Sequence, residues 1–322
     1  MTTRWRWCWR VLGVLLVAAL AFAGYGVWQA RSMGFLRSPV FETERPQLPP
    51  LQHPAVLVFS KTNSFIHKEA IPAAQQLLQQ MAGEQGWSVF LTDSGAVFNA
   101  EDLAHFDVVV WNNVTGDVLL PQQREAFQSW LEQGGGYVGI HAAGDNSHAP
   151  WPWYLDTVIR AQFIGHPMAP QFQQATLRIE QPADPIVAPL GTEWQRTDEW
   201  YSFAKSPRAP DIRVLATIDE SSYAPGEFFD GTSLAMGADH PMIWKHCVRK
   251  GRVFYAALGH TAFAPESPTD EAKPAACANG VFHVLSSRLS PSPPLRPPHM
   301  LLSTSEPDCT FSLAFAKAAI KA

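Results

Sequence analysis

The sequence predicts an α/β domain: a mainly parallel sheet flanked by helices, with a β-rich insertion. Three observations predict it. Between residues 55 and 140, short continuous apolar runs alternate with amphipathic stretches, the rhythm of strands buried on both faces with helices crossing between them. The run Gly134-Gly135-Gly136-Tyr137-Val138-Gly139-Ile140-His141-Ala142-Ala143-Gly144-Asp145 reads as a buried strand that stops at an imidazole among small residues. Beyond His166, strand-like segments follow one another without helices between them.

Taken in order, Ala55-Val56-Leu57-Val58-Phe59-Ser60 is the first strand, with a polar loop from Lys61 to Lys68. An amphipathic helix spans roughly residues 69–83, and Trp87 to Leu91 forms a second strand. Phe106 to Asn112 forms a third, with a loop over residues 113–117. Pro121 opens a helix whose apolar face carries Phe127, Trp130 and Leu131, and Gly134 stops it. The strand ending at His141 is the fourth. Residues 175–180, 199–203, 213–218, 235–245 and 251–258 then read as strands of an insertion within the same domain, which spans residues 54–263. Residues 264–322 are rich in Pro, Ala and Ser and are expected to be largely disordered, with at most short helices at 281–285 and 311–319.

Ahead of the domain, Arg4, Arg6 and Arg10 precede an uncharged apolar run from Val11 to Trp28. This predicts a signal-anchor over residues 1–30 with its start in the cytoplasm and the bulk of the protein in the periplasm or outside the cell. The alternative is secretion after cleavage near Ala23, since Ala21-Phe22-Ala23 matches a small-x-small cleavage site. Residues 31–53, rich in Pro, Arg and Glu, read as a linker. Residues 1–38 hold five arginines and no acids; taking these from the 24 basic residues leaves 19 against 29 acidic. Such a surface disfavours nucleic acid as a partner. No Gly-Lys-Ser/Thr follows the three glycines at 134–136, so nucleotide binding has no support. The cysteines lack zinc-finger spacing; a Cys277–Cys309 disulfide and free thiols both stay open. Asn113-Val114-Thr115 matches a glycosylation acceptor but directly follows an apolar strand.

Ligands of open α/β sheets bind at the carboxyl ends of the strands. His67, His141, Glu199 and His260 all fall at such ends or in the loops after them, and His166, Asp239 and His240 lie on turns before prolines. At His141 the strand-to-helix turn resembles a nucleophile elbow, but imidazole serves better as base, acid or metal ligand. Asp145 is either a catalytic acid or a turn cap. Asp198 and Glu199 are adjacent, so on a strand they face opposite ways; Glu199 is favoured for the site and Asp198 for supporting the loop or a neighbouring cation. Trp151, Trp153, Trp194, Trp200, Tyr201 and Trp244 offer flat apolar faces that suit either a core or a sugar.

Phe59-Ser60-Lys61-Thr62 with Phe65-Ile66-His67, Gly135 to Ala143, Gly165-His166-Pro167, Thr197-Asp198-Glu199-Trp200-Tyr201, Gly237-Ala238-Asp239-His240-Pro241, and Gly251 to Tyr255 with Leu258-Gly259-His260 together resemble the ThuA-like, trehalose-utilisation family. The resemblance runs in order over about residues 55–263. It implies a glutamine-amidotransferase-like, flavodoxin-like three-layer sheet that lacks the nucleophilic cysteine, with His141 standing close to that place. It further implies a small-molecule sugar ligand: a disaccharide or its 3-keto derivative, handled by a lyase or hydrolase rather than an amidotransferase. In that reading Glu199, His141 and Asp145 are catalytic, with Glu199 as base. His67, Trp153, Asp198, Trp200, Tyr201, His166, Asp239 and His240 bind substrate, and His67, His141 and His260 hold a divalent metal such as zinc. The competing classes are a non-catalytic sugar-binding module and a metal-dependent hydrolase of a non-sugar substrate. Where such domains close with a helix after the Gly-His-Thr segment, this chain has a stretch rich in Pro and Ala.

Overall fold

The computed structural model of the protein describes residues 3–260. The expected tail, its short helices and the Cys277–Cys309 pairing lie outside the described residues. Helix α1 (Thr3–Ser32) contains a 24-residue stretch, Trp9–Ser32, long and apolar enough to cross a membrane and with none of its apolar window buried against the protein.

The segment after α1 is not the free tether its composition predicts. The Glu42 carboxylate takes the buried Lys61 ammonium and the Gly95 N–H, and its carbonyl accepts from Gln123 Nε2 at 2.8 Å. Arg45 pairs with Asp102 and Glu101, while Leu48 and Leu51 pack on the core. Proline and charge kept the segment from reading as structure, yet its holding contacts are mostly to backbone groups that no side-chain pattern advertises.

The parallel half follows the predicted rhythm: β1 (Ala55–Phe59), α2 (Ala70–Gln85), β2 (Ser88–Thr92), the short α3 (Ala100–Leu103), β3 (Val108–Asn112), α4 (Pro121–Glu132) and β4 (Gly136–Ile140). Every residue of β1, β3 and β4 is buried, which is why these strands read as unbroken apolar runs rather than alternating ones. Pro121 starts α4, and Gln123 Oε1 accepts the Leu120 N–H at 2.8 Å, closing one free donor of its first turn. Phe127 and Leu131 are buried on the core-facing side.

The remaining strands are β5 (Phe163–Gly165), β6 (Phe172–Ile179), β7 (Glu193–Glu199), β8 (Ser202–Phe203), β9 (Ile212–Ile218), β10 (Pro241–Val248) and β11 (Gly251–Ala256). A nine-stranded mixed sheet results, ordered β2-β1-β3-β4-β11-β10-β9-β6-β7, with β5 and β8 forming a separate pair. From β2 through β11 all neighbours are parallel, and from there each pairing is antiparallel. Alternation restores direction at every second strand, so β7 runs the same way as β4 and delivers its carboxyl end to the same edge. The insertion is β-rich, as expected, but residues 199–203 do not begin a strand. Glu199 ends one: Glu193-Trp194-Gln195-Arg196-Thr197-Asp198-Glu199 is too polar to signal a strand, because β7 lies at the sheet's edge and faces partly outward. Likewise residues 235–240 are loop, and β10 begins at Pro241. Cys247 on β10 is disulfide-bonded.

Five strand spacings separate β4 from β7, about 24 Å across a flat sheet at ~4.8 Å each. Their side chains nevertheless touch: His141 Nε2 lies 3.1 Å from Glu199 Oε2. The antiparallel half therefore curls over the edge of the parallel half. Strand β6 pairs with β9 only over Leu177–Ile179, while its whole length up to Arg178 stays with β7, and β10 shifts register between Pro241 and Trp244. Such irregularities bend and twist strands, and here they free the β6–β7 hairpin to swing across the site.

Candidate functional site

His141 opens a turn of 3-10 helix, His141–Gly144, directly after β4. Its φ is +48°, a left-handed conformation that costs a residue with a Cβ about 1–3 kcal/mol and is retained where the surroundings impose it. Those surroundings are specific. The Tyr255 hydroxyl donates to the His141 carbonyl at 2.7 Å, and His141 Nδ1 donates to the Ala257 carbonyl at 3.0 Å. Gly144 lies flat on the Tyr255 ring, so that a Cβ there would stand 2.4 Å from the hydroxyl oxygen. Gly144→Ala should therefore push Tyr255 off the His141 carbonyl and destabilise the fold by about 1–3 kcal/mol, read as a lower urea midpoint at unchanged slope.

Around His141 the curl gathers residues from four loops. Glu199 Oε2 lies 3.1 Å from His141 Nε2 and 3.1 Å from His260 Nδ1, while Oε1 lies 3.3 Å from His166 Nδ1 and accepts from Gln171 Nε2. His67 closes the group, with ring centroids 5.0 Å from His141 and 4.6 Å from His260. One ligand atom from each of His67, His141, Glu199 and His260 lies within 4.8 Å of the others, and all four residues are buried. His166, its side chain 17% exposed, stands at the rim. Phe65, Phe172 and Tyr201 provide apolar walls: Phe65 meets His67 at 4.8 Å, Phe172 meets His260 at 5.0 Å and Tyr201 meets His141 at 4.1 Å.

The protonation pattern follows from the partners. A carbonyl at Nδ1 and a carboxylate at Nε2 both accept, so in the metal-free protein His141 carries two N–H groups and a charge. Burial alone would lower its pKa, but Glu199 outweighs burial and raises it. Burial likewise pushes the Glu199 carboxyl up, and the imidazoles of His141 and His260 reverse this, holding it far below its ordinary range. His67 is driven well below the usual imidazole value by burial and by its two imidazole neighbours, which leaves it neutral. Its Nδ1 is buried without a hydrogen-bond partner, and His260 Nδ1, though near Glu199, is off the line of a hydrogen bond. Buried unpaired imidazole nitrogens are costly, and a cation coordinated between them resolves the cost. Three imidazoles and a carboxylate fit a divalent metal of the zinc type, and the Ala257 carbonyl fixes the His141 tautomer that leaves Nε2 free to coordinate. These residues could hold such an ion.

These shifts fix a pH dependence for the metal-free protein. Glu199, with its pKa lowered in the fold, contributes stability present above its unfolded value of 4.5 and lost as pH falls. His141, with its pKa raised, contributes below 6.5 and loses that contribution as pH rises through its folded value. Chelator-treated wild type should exceed Glu199→Gln in stability most between those two values, with the gap closing at higher pH. With metal bound the gap should instead widen as pH rises, because coordination displaces the His141 proton.

The structure brings His67, His141, His166, Glu199, Tyr201 and His260 together. Asp198 faces away from Glu199, as the strand period requires: fully buried, it accepts the N–H groups of Glu199, Gly259 and His260 at 2.9, 3.2 and 3.1 Å and pairs with Arg196. Through these contacts it holds His260 in place. Five further residues expected at the site are not in the cluster. Asp145 caps the turn Asn146–His148 through the Ser147 N–H at 2.8 Å. Trp153 stacks on Trp151, and Trp200, fully buried just past the end of β7, donates to the Gln173 carbonyl. Asp239 pairs with Arg208 at the surface. His240 is fully buried between Glu220 and the Tyr201 carbonyl, bracing the chain just past Glu199. Asn113 is fully buried, which closes it to glycosylation. Gln171, Arg196 and Tyr255 escaped the sequence reading. Arg196 was open to it, since residues two apart on a strand share a face and a buried acid needs a cation. Tyr255 stands in the Gly251–Tyr255 motif but reaches the His141 carbonyl only through the pairing of β11 with β4, and Gln171, just ahead of β6, reaches Glu199 only through the β6–β7 pairing.

A family model described as ThuA, trehalose utilisation, matches residues 55–279. Among solved structures, a ThuA-like protein from Bacteroides uniformis superposes with a TM-score of 0.60 at 20% identity, over 76% of this chain and 96% of that one. Another from Parabacteroides merdae gives 0.53 at 17% identity, over 76% and 94%. No curated protein matches in sequence. At these identities the structures speak for the fold, and the family model, covering well over half the chain, speaks for descent: the chain belongs to the ThuA family.

Proposed function

We propose that this is a membrane-anchored, extracytoplasmic ThuA protein that binds a divalent metal such as zinc and acts on a disaccharide or 3-keto-sugar by acid-base chemistry. The observation that carries the reading is the buried convergence of His67, His141, Glu199 and His260 at the carboxyl edge of the sheet. The family's connection with trehalose utilisation supports a sugar as ligand, and the apolar Trp9–Ser32 helix supports the anchor.

His67, His141, Glu199 and His260 would hold the metal, which supplies Lewis-acid polarisation of a carbonyl or of water. Glu199 serves better as ligand and charge anchor than as the general base expected from sequence, because a carboxylate held this acidic is a weak base near neutral pH. His166 takes that role. Burial lowers its pKa, its ring stands at the rim, and Nδ1 is tied to the Pro167 carbonyl at 3.0 Å and to Glu199. That leaves Nε2 to exchange a proton with a substrate C–H made acidic by an adjacent ketone, or with water. Tyr201 and Phe163, 4.3 Å apart between ring centres, keep the inner side of His166 dry.

The experiment is product analysis on 3-keto-disaccharides and their unoxidised parents, with metal content measured on the same protein. Turnover lost in both Glu199→Gln and His166→Gln supports the reading. Binding without any product would mark the protein as a non-catalytic sugar module.

A further inference from the structure

The loop that presents His67 is clasped from outside by the segment that follows α1. Met33 accepts the Ile66 N–H at 2.9 Å, one residue before His67. Arg37 Nη2 donates to the carbonyls of Thr62 and Ser64, both at 3.2 Å, and Asn63 exchanges two hydrogen bonds with the Val40 backbone at 3.1 and 3.0 Å. Phe35 packs on Phe65 with ring centres 5.7 Å apart, and Phe65 in turn meets the His67 ring edge at 4.8 Å. Gly34 has φ +98°, and a Cβ there would stand 2.1 Å from the Ser64 carbonyl oxygen, so the close approach requires glycine. On its inner side the same loop is tied to Thr115 through Asn63 and Phe65. The His67 carbonyl accepts the Ile71 N–H at 3.1 Å, but its side-chain Nδ1 has no hydrogen-bond partner and ring contacts hold the imidazole.

We infer that residues 33–40 are a strap that positions His67, with Gly34, Phe35 and Arg37 acting on the site through the loop at 61–67. The inference builds on the site proposed above but not on metal or membrane. Cleavage near Ala23 would leave the strap on the domain, and the contacts stand whatever the cluster holds. Because the strap follows Ser32 without a spacer, the end of the apolar helix and the His67 loop form one continuous piece.

The test uses the full chain in detergent micelles. Amide exchange over residues 64–67 and carbethoxylation of His67, both read by mass spectrometry, are compared in wild type, Arg37→Ala, Gly34→Val and Arg45→Ala. Arg37→Ala should speed exchange of the loop by about tenfold or more and open His67 to the reagent, with β3 and β4 amides as slow as in wild type. Gly34→Val should do the same more strongly. Arg45→Ala, which loosens the neighbouring stretch at Asp102, should leave His67 protected. Protection equal to wild type in Arg37→Ala and Gly34→Val, with core amides intact, would overturn the strap. Zinc titration of the wild type reads the metal proposal separately, so failure there leaves the exchange result standing.

Discussion

Glu199→Gln is expected to lower zinc affinity by more than the 10–100-fold typical of losing an outer-shell partner, and to abolish turnover, while the protein stays folded. Glutamine has the same shape. Its amide oxygen can accept from Gln171 as the carboxylate does, and its NH2 can donate to His141 Nε2, with the Nδ1 proton still on the Ala257 carbonyl. His141 then becomes neutral, and its two ring nitrogens and Gln171 keep their partners. What disappears is the negative charge that draws a cation between three imidazoles. Zinc titration by competition with a chelating dye, alongside urea unfolding, separates the two effects. Unchanged affinity at unchanged stability would remove Glu199 from the ligand set.

Asp198→Ala is expected to cause the largest loss of stability among site variants, about 3–5 kcal/mol. Arg196 is buried, and its Nε and Nη1 already lack partners; without Asp198 its charge stands uncompensated. Three backbone N–H groups, of Glu199, Gly259 and His260, lose their acceptor as well. Replacing both partners, Asp198→Leu with Arg196→Met, should recover the part of the loss that the bare Arg196 charge causes, because the buried pair itself contributes little net, while the three N–H groups stay without an acceptor. Zinc affinity should be low in the double variant, since nothing then fixes the loop that carries His260 past the end of β11. Recovery of affinity together with stability would show that Asp198 holds the fold and not the site.

The parallel half of the fold was legible because each strand is covered on both faces and announces itself as an apolar run: Ala55–Phe59, Val108–Asn112 and Gly136–Ile140. His141 was legible for a related reason, an imidazole at the end of such a run among residues too small to hide it. Strand β7 was not, because an edge strand with a polar outer face lacks that signature, and its end at Glu199 reads locally as a beginning. The convergence of Glu199 on His141 rests on strand alternation and on the partial pairing of β6 with β9, both properties of the whole sheet. The tryptophans suited either a core or a sugar in sequence: Trp200 and Trp244 are fully buried, since large apolar rings fill a core before they line a cleft. The strap at 33–40 was hidden because its hold on the domain runs mainly through carbonyls and N–H groups, which every residue carries.

His67, His141, Glu199 and His260 together would form the metal centre. Elemental analysis of protein purified without chelators, and again after zinc is offered and excess removed, tests it most directly. About one divalent ion per chain in wild type and none above trace in Glu199→Gln is the predicted result. Wild type that retains no metal under either condition would contradict it.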